Sequence, residues 1–295
     1  MADPPAGCQS AFRRDNAGVC WFRDKERRDC AIHREFGEES LASACRQFPR
    51  VAVLEPGQTS VSLSHYCPTA AGLLFREPSG FRIVDAPEAF PSTWPFEGLD
   101  ARQAYSPLLR PGVLLGFDGL RAFESSAVAV LAAPDVRAAV ARIAAAVERI
   151  RAWRPDLGRV PDWIRLAFDQ AACVPAIHRA SDPRPTLADS IPPGSAQPPL
   201  LPAFAATFPE IEPRSDLALR RYLAARLVGG WVMFQAEDLA TAAAYIGLCL
   251  DSVFLFESAR DRTEPEVDRW REAIREADLW LLHYCDPQRL AANLR

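Results

Sequence analysis

The sequence predicts a mainly α-helical protein in which an N-terminal cysteine-rich, metal-binding region with a short β-hairpin precedes a helical bundle. Three observations carry this. Four cysteines, Cys20, Cys30, Cys45 and Cys67, fall in one stretch with spacing C-x9-C-x14-C-x21-C. Two short runs inside that stretch, Val51–Leu54 and Ser60–Leu63, flank the turn-forming Glu55-Pro56-Gly57-Gln58-Thr59, as the arms of a hairpin do. Beyond about residue 134, apolar residues recur at the three-to-four-residue spacing of helices that bury one face.

Local pattern suggests how the thiols meet. Val19–Phe22 and Cys30–His33 are short apolar-rich pieces joined by the polar run Arg23-Asp24-Lys25-Glu26-Arg27-Arg28-Asp29, which can fold back and bring Cys20 near Cys30. Glu38–Phe48 reads as a short helix, with Leu41, Cys45 and Phe48 on one face and Pro49 as its stop. The open end of the hairpin carries Arg50 on one side and Ser64 on the other, so Cys45 and Cys67 are expected as neighbours. Four thiolates suit zinc or an iron–sulfur cluster, because both favour soft sulfur ligands. No C-x2-C pair of the kind zinc modules use is present. The wide spacing points to an iron–sulfur cluster (4Fe-4S) first and zinc second. Arg46 and Arg50 flank the cysteines as cations that can steady thiolate charge or hold a carboxylate, and are the candidate cofactor-binding residues. His33 and His65, near Cys30 and Cys67, read as surface histidines, or else as ligands or hydrogen-bond partners of a sulfur. Glu38 and Glu39 read as helix N-terminal charges. Cys173 and Cys249 read as buried small hydrophobes. No catalytic residue can be assigned.

At these residues the sequence resembles the flagellin lysine-N-methylase family and, more loosely, cysteine-cluster proteins described as zinc- or iron-chelating. The matching features are Cys20-Trp21-Phe22, Cys30-Ala31-Ile32-His33, Phe36-Gly37-Glu38-Glu39-Ser40-Leu41, Cys45-Arg46-Gln47-Phe48-Pro49-Arg50 and Cys67-Pro68, a series over about 50 residues. The family usually carries a further cysteine cluster upstream, where only Cys8 stands here. The resemblance implies a metal or iron–sulfur site, methyl transfer from S-adenosylmethionine to protein lysines, and a protein substrate such as flagellin. The residues themselves leave two other classes open: a metal-stabilised module that binds a partner protein without catalysis, and a redox or metal sensor.

Composition bounds the rest. The chain has 295 residues, 49% hydrophobic and 24% charged, as in an ordinary globular protein. A net charge of −4 argues against a nucleic-acid partner. Lys25 is the only lysine, so there is no P-loop lysine and no second candidate for Schiff-base chemistry. There is no G-x-G-x-x-G loop and no C-x3-C-x2-C; Gly112, Gly116 and Gly119 are the nearest approach to the former. The opening Met1-Ala2-Asp3-Pro4-Pro5 is no secretory signal, and no uncharged apolar run reaches 18 residues, so a cytoplasmic protein without a membrane partner is expected.

Four segments follow along the chain. Residues 1–112 form the cysteine-rich region, with a loose arm over 1–18, a turn or two of helix in Thr69–Phe75, a short strand at Phe81–Val84, and irregular Pro-rich cover plugged by Trp94 and Phe96. Residues 113–180 are helical. Pro134-Asp135 opens a helix with the stripe Val136, Val140, Ile143, Val147, Ile150 and Trp153, and Pro161-Asp162 opens another through Ile164, Phe168 and Ala171. Residues 181–213 are a Pro-rich linker or loop, nine prolines falling between 180 and 213. Residues 214–295 are the C-terminal bundle, able to form one compact body with 113–180. It comprises a helix capped by Ser215 and running through Leu219, Leu223, Leu227 and Trp231, one over Glu237–Ser258, and one opened by the capping box Thr263–Glu266. Gly229-Gly230 would kink the first or admit another backbone. Glu237, Asp238 and Asp251 cap helices or face solvent, or form a site between helices; His178 and His283 read as structural or exposed.

Overall fold

The computed structural model describes residues 20–24, 26–27, 29–76, 80–89, 98–172, 177–195, 198–205 and 210–295. The expectations for the 1–18 arm, Cys8, Lys25, Trp94, Phe96 and Cys173 fall outside them. The fold is mainly helical, with a small sheet region towards the N-terminus. The described residues divide into two compact units, one up to Phe48 and one from Pro49 onward.

The first unit is built from local turns. Asp24 N–H donates to the Asp29 carbonyl and Ala31 N–H to that of Phe22, with Arg23 opposite Cys30, so the polar run folds back as expected. Helix α1 (Ala31–Phe36) follows. The expected Glu38–Phe48 helix is broken into a 3-10 turn over Glu38–Ser40 and a short α2 (Ser43–Gln47), with Leu41 and Ala42 extended between them. Ser40 donates its hydroxyl back to the Phe36 carbonyl, the local competition that makes serine a poor helix-interior residue. Gln47 is the only buried residue among those described here, while Trp21 and Phe36 are 65% and 69% exposed.

In the second unit, β1 (Arg50–Glu55) and β2 (Gln58–Leu63) pair in register from Arg50↔Leu63 to Glu55↔Gln58. The turn is tighter than the five residues expected: Pro56 and Gly57 suffice, with Gly57 at φ +82°, the proline-then-glycine order of a type II turn. A two-residue strand β3 (Leu99–Asp100) adds parallel to β1, giving the order β2-β1-β3. Phe81–Val84 is not a strand: no ladder forms on it. Helix α3 (Pro68–Leu73) matches expectation. The glycine run around 112–119 makes a small hairpin, β4 (Leu108–Arg110) and β5 (Val113–Leu114), and then α4 (Phe117–Ala132), where Gly119 lies so close to Val160 that a Cβ would stand 3.1 Å from it.

The core sits among the long helices α4, α5 (Val136–Arg151), α6 (Val160–Ala171), α8 (Pro213–Leu227), α10 (Leu239–Ser258) and α11 (Glu266–Leu279). The expected α5 and α6 stripes are buried from Val136 to Ile150 and from Ile164 to Ala171, with Trp153 half-buried. The described residues of the Pro-rich segment include a short helix, α7 (Arg184–Asp189), which tolerates Pro185 because it lies in the first turn, where no N–H is needed. Helix α8 starts at Pro213 and stops at Leu227; Trp231 opens a separate α9 (Trp231–Gln235). The break is at Gly229, whose φ of +65° ends the helix and whose missing side chain leaves room for Ser60 of β2, 3.2 Å from where a Cβ would stand. Asp238 caps α10 as expected. The Thr263 capping box does not form: Thr263 N–H goes to Asp261, Pro265 takes the cap position, and Glu266 accepts from the Trp270 indole. A π-turn over Trp280–Tyr284 continues α11, and α12 (Pro287–Asn293) closes the chain, capped by Asp286. Among the described helices α10 alone is long and apolar enough to cross a membrane; 83% of its most apolar window is buried within the protein.

Asp135 is the one described non-glycine residue with positive φ (+74°), and its carboxylate caps α5 by accepting from the N–H groups of Arg137 and Ala138. Aspartate and asparagine tolerate that backbone and cap equally well, whereas alanine does neither. Asp135→Ala should therefore cost about 1–2 kcal/mol in urea unfolding, and Asp135→Asn almost nothing.

Candidate functional site

The expected ligands are distributed over both units: Cys20, Cys30 and Cys45 in the first, Cys67 in the second. Cys20 lies in a turn that its carbonyl closes on Arg23 N–H, and Cys30 is the N-cap residue of α1. Cys45 is exposed in the middle of α2, and Cys67 precedes α3. Cys20, Cys30 and Cys67 are half-buried thiols. Their soft donor chemistry fits iron or zinc, yet among the described residues no three or more of His, Cys, Asp and Glu are grouped as a metal requires. Arg46 sits half-buried in the last turn of α2. Arg50 donates its Nε to the Ala89 carbonyl at 2.9 Å, tying the turn over Pro87–Ala89 to β1. His33 is on the surface, as expected, and Glu38 and Glu39 are exposed in their 3-10 turn.

His65 is not a surface histidine. It is 3% exposed, one residue beyond the Ser64 that ends the hairpin, because the carboxylate of Asp278 on α11 gathers the chain there. Asp278 accepts from the Ser64 hydroxyl at 3.2 Å, from the backbone N–H of His65, and from that of Tyr66 at 3.3 Å. Arg226 of α8, itself buried, pairs with Asp278 at 3.3 Å and donates to the Leu63 carbonyl. His283, carried by the π-turn, lies with its Nε2 3.2 Å from the Ser64 hydroxyl. The His65 ring packs edge-on against Tyr222, with centroids 5.5 Å apart. Its Nδ1 is buried without a hydrogen-bond partner, as is the Tyr222 hydroxyl. Burial, and then the charge of Arg226, push the His65 pKa from 6.5 to about 4 against the pull of Asp278, so the ring is neutral near pH 7. His283 is also pushed down by burial.

His65 lines a cleft of about 780 Å3, large enough for a small molecule or a stretch of peptide. The cleft lies wholly within the second unit, and Gly57–Leu63, Phe81–Pro87, Val128 and α8 line it too. A second cleft, of about 540 Å3, contains Asp251 of α10 and His178. Asp251 is 1% exposed and accepts from the Ser181 hydroxyl (2.7 Å) and N–H (3.1 Å), with His178 Nε2 at 2.8 Å. Its role is structural, anchoring the segment around His178–Ser181 onto α10, against Gly247, whose missing side chain admits the His178 ring. Glu237 is exposed and pairs with Arg295. Cys249 is fully buried, as expected, and burial raises its pKa.

Sequence reasoning passed over Arg226 and Asp278. The signal was present: Arg226 stands beside Leu227 on α8, and Asp278 falls four residues after the buried Ile274, a charge on an apolar stripe. Comparison with protein families, curated proteins and solved structures finds no match.

Removing one member of a buried ion pair leaves the other charge stranded, so Asp278→Ala should destabilise the fold by on the order of 3–5 kcal/mol in urea unfolding. The pH dependence has a definite sign. Between pH 6.5 and about 4 the unfolded chain protonates His65 and the folded chain does not. Stability should be full above pH 6.5 and fall as pH drops towards 4, by about 3 kcal/mol from this residue. In His65→Phe that part of the slope should vanish, as read from unfolding midpoints across the range.

Proposed function

We propose that the cysteines of the Cys20–Cys67 stretch bind a metal centre, an iron–sulfur cluster before zinc, and that the protein is a lysine N-methyltransferase acting on a flagellin-type substrate with S-adenosylmethionine as methyl donor. The metal reading is carried by one observation. Cysteines are concentrated in a unit that has local turns but, among the described residues, no buried apolar side chain. A short unit whose described residues bury no apolar side chain is of the kind that a cross-link or a metal usually holds in one conformation. Thiolates of Cys20, Cys30, Cys45 and Cys67 would hold the metal, with Arg46 and Arg50 as flanking cations. The activity, the methyl donor and the substrate rest on the resemblance of residues 20–68. When bound, an iron–sulfur cluster supplies redox-active iron, and zinc supplies a structural clasp.

A second reading is a metal-stabilised module that binds a partner protein without catalysis. The exposed Trp21 and Phe36 favour it, since exposed aromatics are common contact residues.

Anaerobic purification of the wild type and of Cys30→Ser, followed by metal and sulfide analysis and a visible spectrum, tests the centre. Iron and acid-labile sulfide with a broad visible band, lost in the variant, is the expected result. Zinc without colour would favour the non-catalytic module, and the absence of stoichiometric metal would overturn the metal reading. The activity is checked by mass spectrometry of co-expressed flagellin: methylated lysines are expected, and unmodified flagellin beside a metal-loaded protein overturns the methyltransferase.

A further inference from the structure

Strand β2 is the outer strand of its sheet, and its register settles which backbone groups face outward. Glu55 and Gln58 flank the two-residue turn and so form a hydrogen-bonded pair. Hydrogen-bonded pairs alternate along an antiparallel ladder, which makes Val53↔Ser60 and Val51↔Ser62 the next two. Gln58, Ser60 and Ser62 therefore bond to β1, while Thr59, Val61 and Leu63 turn their N–H and C=O groups to the outer edge, where Arg226 already takes the Leu63 carbonyl. The parity has an independent check: the Leu63 carbonyl accepts from Arg226, as a group on the outer edge can.

An open edge is ordinarily blunted by charge, proline or a covering element. The sequence of β2, Gln-Thr-Ser-Val-Ser-Leu, has neither charge nor proline. The residues of β2 line the 780 Å3 cleft along the whole strand, together with Phe81–Pro87, where Ile83 and Val84 are 47% and 60% exposed. Six residues of strand span about 20 Å. Two residues past the strand, His65 lines the same cleft, nearly fully buried and with an Nδ1 that has no partner. A regular row of alternating donors and acceptors is matched by another extended backbone, not by a compact small molecule.

We propose that this cleft binds an extended peptide segment of a partner protein, which adds as a strand to the outer edge of β2 at Thr59 and Val61 and runs on towards His65. Apolar side chains of the segment would lie against Ile83 and Val84. The inference rests on the proposed function only in taking the partner to be a protein; the site and the mode of binding come from the second unit alone.

The test uses the full chain. Peptides selected on it from a random display library are fluorescein-labelled and titrated by polarisation, and hydrogen exchange is followed in β2 with and without saturating peptide. Exchange at Thr59 and Val61 should slow on binding. Val61→Pro removes one outward N–H at an edge position where proline is tolerated, and should weaken binding by roughly tenfold. Ile83→Glu, on an exposed part of the lining and outside the sheet, should weaken it comparably. Failure to select a peptide, protection confined to other segments, or unchanged affinity in both variants overturns the inference. Assaying flagellin methylation on the same proteins separates the two claims. A chain that binds peptide through β2 but methylates nothing loses only the methyltransferase reading. A methylase whose peptide affinity is unchanged in both variants loses only the strand-addition site.

Discussion

One buried ion pair determines where the hairpin lies. Asp278 and Arg226 are both almost without solvent contact, and between them they hold four consecutive residues, Leu63 to Tyr66, through the Leu63 carbonyl, the Ser64 hydroxyl and two backbone N–H groups. A carboxylate taken out of water needs donors and a buried guanidinium needs acceptors; the same stretch of backbone supplies several of both. A second network holds the turn end. The buried Glu55 accepts from Ser60 and pairs with Arg121, which also bonds Glu124, and Glu124 accepts from Gly229 N–H at 3.3 Å. Both ends of β1 and β2 are thus fixed to α4, α8 and α11, and the residues of β2 line the cleft.

The two units draw on different sources of stability. From Pro49 onward, large side chains such as Trp270, Phe123 and Tyr222 are fully buried, and burial of that area dominates the energy. Up to Phe48 the described contacts are turns and ion pairs, such as Arg34 with Asp24 and Asp29, whose partners remain partly exposed. Such pairs contribute little in water. The contrast explains why the polar constellation around His65 can be maintained in the second unit, where a rigid helical frame surrounds it.

Much of the helical unit was legible because its signals are local and repeated. Val136 to Ile150 and Ile164 to Ala171 fall on one face at helical spacing and are buried; Asp238 caps α10; the two short runs around Pro56-Gly57 make a hairpin. Expectations failed where two local options compete and a distant contact decides. Thr263 had a capping box available, but Glu266 is drawn to the Trp270 indole. The helix through Trp231 stops at Leu227, because Gly229 must pass close to Ser60. Phe81–Val84 had strand-like residues but no ladder partner, and the glycines at 112, 116 and 119, which fit no motif, serve a tight turn, a helix start and a close helix contact.

By itself the sequence determined the helical class, the hairpin, the main buried stripes and the presence of thiols whose chemistry suits a metal, because periodicity and donor type are properties of neighbouring residues. Only the tertiary structure decided that His65 is buried and neutral, that Asp278 closes on residues more than 200 positions earlier, and that β2 lines a cleft. Those facts depend on which charges lose their water together when helices pack, and no local pattern records that pairing.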